Sequence, residues 1–164
     1  MWSSDRRGVL SLGGALALSA CGFAPAYAPG GPASGLQGRV RAADPGDKAG
    51  FDLVTRLEER LGPPANAPYA LTYSISLQAV VVGVTDALAI TRYNLNGFVD
   101  WQLLPAAGGP ALVAGRVQSF TSWSATGSTV ATVTAQDDAT RRLMVILADQ
   151  IVTRLLATDR KSVV

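Results

Sequence analysis

Apolar and polar residues alternate with a period of two through the middle of the chain, and this pattern predicts three β-strands. They cover residues 69–84, 87–105 and 111–125. The alternation is least regular in the third strand, which leaves room for a β-bulge there. Short connections join the three strands, so we expect them to pair as an antiparallel meander. A shorter strand is predicted at residues 36–43.

Two segments on either side of this meander carry apolar residues at helical spacing. The first is predicted at residues 45–61, where Asp44 and the proline after it form a typical helix start. The second is predicted at residues 135–157, behind a capping box that begins at Thr134. The order of elements predicts an α+β fold, a two-layer sandwich with two helices packed on one face of a mostly antiparallel four-stranded sheet.

The second face of this sheet is predicted to carry hydroxyl and amide side chains and hardly any charge. Its residues are Thr72, Ser74, Ser76, Gln78, Asn94, Asn96, Gln102 and Gln118. A face in open water usually carries Lys and Glu, so a neutral polar face favours contact with a second polar wall. An ordinary solvated face is the alternative interpretation.

The first twenty residues have a different pattern. Two arginines precede an uncharged apolar run at residues 8–20, which is too short to span a membrane and is typical of a cleaved secretory signal. The paired arginines also fit a twin-arginine signal, so the export route stays open between that and the general one. The run ends in Leu18-Ser19-Ala20-Cys21, which matches the bacterial lipobox. In that pathway the cysteine receives a diacylglycerol, and its new amino group is acylated after cleavage.

Cys21 is the only cysteine of the chain, so it has no disulfide partner. The alternatives to lipidation are a buried cysteine in a core helix or a chance thiol in an ordinary signal. Residues 21–35 are rich in Pro, Gly and Ala and are typical of a flexible tether. We therefore expect a signal peptide at 1–20, an acylated tether at 21–35, one domain at 36–158 and a tail at 159–164.

Composition excludes several classes of function. The chain has no histidine, which removes the commonest general base and metal ligand, so neither a metal nor a cofactor is expected beyond the acyl chains on Cys21. Its 14 basic residues form no cluster of the kind that binds nucleic acid once the signal is removed. A hydrolase with a pair of carboxylates is the weakest alternative, because most carboxylates lie at helix starts or turns.

The lipobox, the peptide ACGFAPAY, the first helix, the long hairpin with RYNLNGFVDWQL and the capped last helix together resemble the LptE family of lipopolysaccharide-assembly lipoproteins. The resemblance implies a non-enzymatic lipoprotein held in the outer membrane by its lipid anchor. It also implies a place inside the barrel protein LptD, where the family assists barrel assembly and the insertion of lipopolysaccharide into the outer leaflet.

The resemblance implies an acidic substrate as well, since lipopolysaccharide carries phosphates or other acids on its headgroup. Arg92 and Arg116 are the candidate contacts, because both share the parity of the neutral polar face and guanidinium groups bind phosphate well. The alternative is that each pairs with a nearby carboxylate or water. A competing function is a lipoprotein that binds a lipid or a small apolar ligand between sheet and helices.

Overall fold

The computed structural model describes residues 35–159. The predicted signal peptide, Cys21 and nearly all of the predicted tether lie outside these residues, as does most of the predicted tail. The elements in chain order are β1 (Val40–Ala42), α1 (Lys48–Leu61), β2 (Tyr69–Val84), β3 (Ile90–Pro105), β4 (Val113–Ser124) and α2 (Thr129–Asp159).

The four strands form one sheet in the order β1-β2-β3-β4. β1 runs parallel to β2, whereas β2, β3 and β4 form an antiparallel meander. Two helices and a mostly antiparallel sheet confirm the predicted α+β class. The β2–β3 hairpin is long because both strands have sixteen residues.

The helices cover one face of the sheet, and the interface between the layers is filled with apolar side chains. The largest fully buried ones are Leu53, Leu57, Leu71, Val99, Val117, Leu143, Met144, Leu147, Ile151, Val152 and Leu155. Gly97 of β3 makes close packing of α2 possible, because a β-carbon there would lie 2.8 Å from Leu143 Cδ2. Across the helices, the Arg56 guanidinium donates two hydrogen bonds of 3.0 Å to the Asp149 carboxylate.

The start of α1 differs from the prediction. The helix begins at Lys48, and Asp47 caps it, since its carboxylate accepts a 2.7 Å hydrogen bond from the Gly50 amide. The backbone of Asp47 is extended, as a capping residue requires. Asp44 lies too early to reach the first helical amides and instead forms a loose 4.0 Å pair with Arg41.

The start of α2 also differs from the prediction, by about two turns. The helix begins at Thr129, and the hydroxyl of Ser128 accepts a 3.3 Å hydrogen bond from the Ala131 amide. The capping box predicted at Thr134 is wrong, because this residue lies inside the helix and its hydroxyl donates to the carbonyl of Val130. The helical turns before residue 135 carry no row of buried apolar residues. The spacing of apolar residues therefore could not predict them.

β2 has the bounds predicted for it, whereas β1, β3 and β4 are shorter than predicted, and the register irregularity lies in β2 and not in β4. Residues 36–39 form a turn before β1, in which the Arg39 amide donates to the Leu36 carbonyl. β4 pairs with β3 in continuous register, whereas β2 shifts register around Gly83. A β-carbon on Gly83 would lie 2.7 Å from Thr91 Oγ1, so only glycine fits where the strand kinks.

Candidate partner-binding surface

All eight residues predicted on the neutral polar face lie on the side of the sheet away from the helices. We call this side the open face. On this face Thr72 lies opposite Gln102, whereas on the helix side the buried Leu71 lies opposite the buried Leu103. Six of the eight side chains are exposed, and Asn94 and Asn96 are half-buried.

The open face carries one tight ion pair. Arg116 and Asp100 are direct cross-strand partners, and Nε and Nη2 of the arginine each donate a 2.7 Å hydrogen bond to a carboxylate oxygen. These bonds hold the pKa of Asp100 below its usual value and raise that of Arg116. The guanidinium of Arg116, a predicted lipopolysaccharide contact, is therefore already paired with the Asp100 carboxylate. Pairing with a nearby carboxylate was the alternative interpretation of that residue.

Arg92 has a different environment. It lies near the turn end of β3, between Gly83 of β2 and Ser124 of β4, and its side chain is exposed. Within residues 35–159 its guanidinium makes no hydrogen bond or ion pair. It lies eight residues from Asp100 along one strand, which is roughly 27 Å. The structure thus does not bring the two candidate arginines into a single site.

Two phenylalanines interrupt the polar surface. Phe120 on β4 is 64% exposed, and Phe98 on β3 is half-buried beside it. Together with Asn96, Gln118 and Ser119 they line a shallow depression of about 370 Å³. The sequence analysis did not place Phe120 on the open face, although it has the same parity on β4 as Gln118.

At one end of the part of the chain that the structure describes, large apolar side chains are exposed. This apolar tip comprises the turn end of the β2–β3 hairpin and the first turns of α2, with exposed Val80, Val81, Val82, Val84, Leu88, Ile90, Val130 and Val133. Leu88 is 84% exposed and Val130 78% exposed. Exposed apolar patches of this kind mark interaction surfaces. The sequence analysis did not identify this patch.

The open face presents hydroxyl and amide side chains and the ion pair of Asp100 and Arg116. Within the part of the chain that the structure describes, no group of three or more potential metal ligands occurs. Tyr73 has a raised pKa because of its burial first and the nearby Asp47 and Asp44 second. Its hydroxyl lies against the helix cap, since a β-carbon on Gly50 would be 3.2 Å from it. This shift therefore reflects packing at the end of α1.

Comparison with known protein families identifies the family of this chain. A family model described as lipopolysaccharide-assembly, LptE, matches residues 38–155. The chain belongs to the LptE family. The match covers β1 through nearly all of α2, so the resemblance seen in the sequence is confirmed and the chain is assigned to lipopolysaccharide assembly.

Solved structures share this LptE fold. A Caulobacter crescentus protein described as a lipoprotein is 26% identical, with a TM-score of 0.64, and the match covers 79% of this chain and 96% of that one. Rare lipoprotein B of Shewanella oneidensis is 15% identical, with a TM-score of 0.57 over 75% of this chain and 96% of its own. A minor lipoprotein of Acinetobacter baumannii is also 15% identical, with a TM-score of 0.53 over 73% and 91%.

No protein of curated function matches the sequence. Among the helices at residues 35–159, neither has the length and apolar character needed to cross a bilayer.

Proposed function

We propose that this chain is a non-enzymatic, lipid-anchored subunit of the outer-membrane lipopolysaccharide translocon. In this role it occupies the barrel of LptD, assists the assembly of that barrel and assists the insertion of lipopolysaccharide into the outer leaflet. Membership of the LptE family supports the general role. The observation that carries the specific role is the open face, a broad surface of hydroxyls and amides whose charged pair Asp100–Arg116 is internally neutralised.

The open face suits the lumen of a membrane barrel. The inner wall of such a barrel is polar, and its groups need hydrogen-bond partners wherever a plug displaces water. Neutral side chains such as Thr72, Ser76 and Gln102 donate or accept without the cost of burying a net charge. The exposed Phe120 adds apolar contact area within this polar surface.

The proposed anchor keeps the domain close to the membrane. If Cys21 is acylated, the residues up to Gly35 form the tether, and their Gly- and Pro-rich composition gives a mean span of roughly 20 Å. The predicted domain begins at Leu36, which lines the same cleft as Tyr69, the first residue of β2. The end of the sheet that carries β1 would then lie nearest the anchoring leaflet.

Arg92 is the better of the two candidate contacts for lipopolysaccharide. Its guanidinium keeps all its donors available among the described residues, whereas that of Arg116 is held by Asp100. Its direct partners across the strands, Gly83 and Ser124, are neutral. Guanidinium groups bind phosphate through paired hydrogen bonds.

The alternative, a carrier of lipid or a small apolar ligand, has one observation in its favour. Leu36, Tyr69, Leu103, Leu112 and Leu155 line an apolar cleft of about 340 Å³. The cleft lies at the rim where β1 begins, outside the filled interface between sheet and helices. Its size is at the lower end for ligand pockets, so the carrier function has the weaker support.

Detergent extraction of the full chain from its native membrane tests the proposal. We expect the protein to co-purify in a fixed ratio with one outer-membrane barrel, and its depletion to lower both folded barrel and surface lipopolysaccharide. Cys21→Ala is the comparison variant: it removes the thiol that would accept the lipid, and because cleavage follows lipidation, the precursor should also keep its signal. Recovery of the wild-type chain alone, with barrel assembly unaffected by depletion, contradicts the proposal; a bound lipid in that sample would favour the carrier function.

A further inference from the structure

Within residues 35–159, no strand pairs with the outer edge of β2 along most of its length. β1 pairs only with the first residues of β2, from Val40 opposite Tyr69 to Ala42 opposite Leu71. The last bond of this pairing runs from the Ala43 amide to the Leu71 carbonyl, at 2.8 Å. The chain then turns away into α1. Beyond Leu71, no strand of the described residues lies on this side of β2.

The bonds to β1 identify which backbone groups point outward. The Tyr69 amide donates to Arg39, and the Leu71 carbonyl accepts from Ala43, so the odd-numbered residues of β2 face this edge. Alternation along the strand gives the same direction to both backbone groups of Tyr73, Ile75, Leu77, Ala79 and Val81. The register shift at Gly83 ends the series. These groups have no backbone partner within residues 35–159.

The edge also lacks the usual protection against strand pairing. Natural edges carry lysine, proline, inward charges or a covering element. Residues 74–85 contain no charged residue and no proline, whereas the opposite edge strand β4 carries Arg116. A long uncharged edge strand can pair with a strand of another chain, which leads to aggregation. We therefore expect another segment to cover this edge in the assembled protein.

We propose that residues 73–81 of β2 bind an extended, uncharged segment of the barrel partner, which adds to the sheet as a fifth strand. Amide and carbonyl groups repeating about every 6.8 Å are matched by another polypeptide backbone, and not by a sugar or an acyl chain. Leu77 and Val81 are 41% and 42% exposed on the helix side of this edge, so alternate side chains of the added strand should be apolar.

Two other occupants fit less well. The tether of the same chain contains Pro25, Pro29 and Pro32, which lack the amide that a continuous ladder needs. The wall strands of a closed barrel are already paired on both sides. The added strand therefore comes from a loop or a terminal segment of the barrel protein that reaches into its lumen.

This inference rests on the proposed function, because it takes the barrel as the partner. The first test compares Ala79→Pro with Ala79→Val in the full chain extracted with its barrel. The proline removes one outward amide and leaves the ladder to β3 intact, whereas the valine keeps the amide. We expect Ala79→Pro to recover at least ten-fold less barrel at an unchanged midpoint of thermal unfolding, and Ala79→Val to behave as wild type.

Amide hydrogen exchange gives a second measurement that needs no variant. In the protein released from the barrel, the amides of Ile75, Leu77 and Ala79 should exchange quickly, while those of Ser76 and Gln78, which face β3, should be protected. In the complex the odd-numbered amides should slow at least ten-fold. If wild type binds the barrel but Ala79→Pro binds equally and these amides stay fast, the inference fails; if wild type binds no barrel, the proposed function fails first.

Discussion

Asp100 and Arg116 face each other across β3 and β4 and hold a two-bonded ion pair, with both nitrogen–oxygen distances at 2.7 Å. The geometry follows from register, since the two residues are direct cross-strand partners on the open face. The pair leaves this part of the surface without net charge. A polar wall pressed against this part of the open face therefore meets a dipolar group.

We expect Asp100 to titrate below the usual range of an aspartate. The hydrogen bonds from Arg116 stabilise the ionised carboxylate and lower its pKa from the ordinary 3.8. Because the folded-state pKa is the lower one, the stabilisation is present above about pH 3.8 and is lost as the pH falls through the folded value. NMR titration of the Asp100 carboxyl carbon should give a lower midpoint in wild type than in Arg116→Gln. Equal midpoints in the two proteins would contradict the pair in solution.

Arg92→Gln should weaken binding of lipopolysaccharide several-fold and leave the stability of the protein unchanged. The guanidinium makes no hydrogen bond or ion pair with the described residues, so its removal breaks no bond within them. Arg154→Gln is the matched control, because Arg154 is likewise exposed and its side chain likewise has no such bond there. Binding can be followed by photo-crosslinking from position 94 at two salt concentrations. Equal losses in both variants would show a general charge effect instead of a site at Arg92.

The two aspartates before α1 should differ in their effect on stability. Asp47→Ala removes the carboxylate that accepts from the Gly50 amide, and loss of such a cap lowers the free energy of unfolding by about 1 kcal/mol. Asp44→Ala removes only an exposed 4.0 Å pair with Arg41 and should change it by less than about 0.5 kcal/mol. Urea unfolding followed by circular dichroism measures both. A larger loss of stability in Asp44→Ala than in Asp47→Ala would indicate that Asp44 caps α1, as predicted from the sequence.

The open face and the buried face were predictable because strand parity assigns each residue to a side. Leu71 and Val99 are buried and Ile75 is partly buried, as that parity requires. Parity does not say how far the helices extend over a sheet, and so Val81 has the parity of the core but is exposed at the hairpin end. At residues 80–82 consecutive residues are apolar, so both faces of the strand are apolar there. This was the sequence feature from which the apolar tip could have been predicted.

Partners across strands were less predictable than faces. Asp100 pairs with Arg116 only in the observed register of β3 and β4, and that register depends on the conformation of the loop between them. The early start of α2 was missed for a related reason. Val130 and Val133 are exposed, so the first turns contribute nothing to the buried stripe by which the rest of the helix was recognised.

Gly97→Ala should destabilise the protein by about 1–3 kcal/mol, the usual range for overpacking a core. The added methyl would lie 2.8 Å from Leu143 Cδ2 and 3.1 Å from Leu147 Cδ1, and both leucines are fully buried, so neither has room to move. Gly46→Ala is the control, because a β-carbon there meets nothing within 4 Å. Thermal or urea unfolding of the two variants measures the difference. Combining Gly97→Ala with Leu143→Val should cost less than the sum of the single changes, since the smaller side chain makes space for the methyl; strict additivity would mean that α2 does not pack against β3 at this glycine.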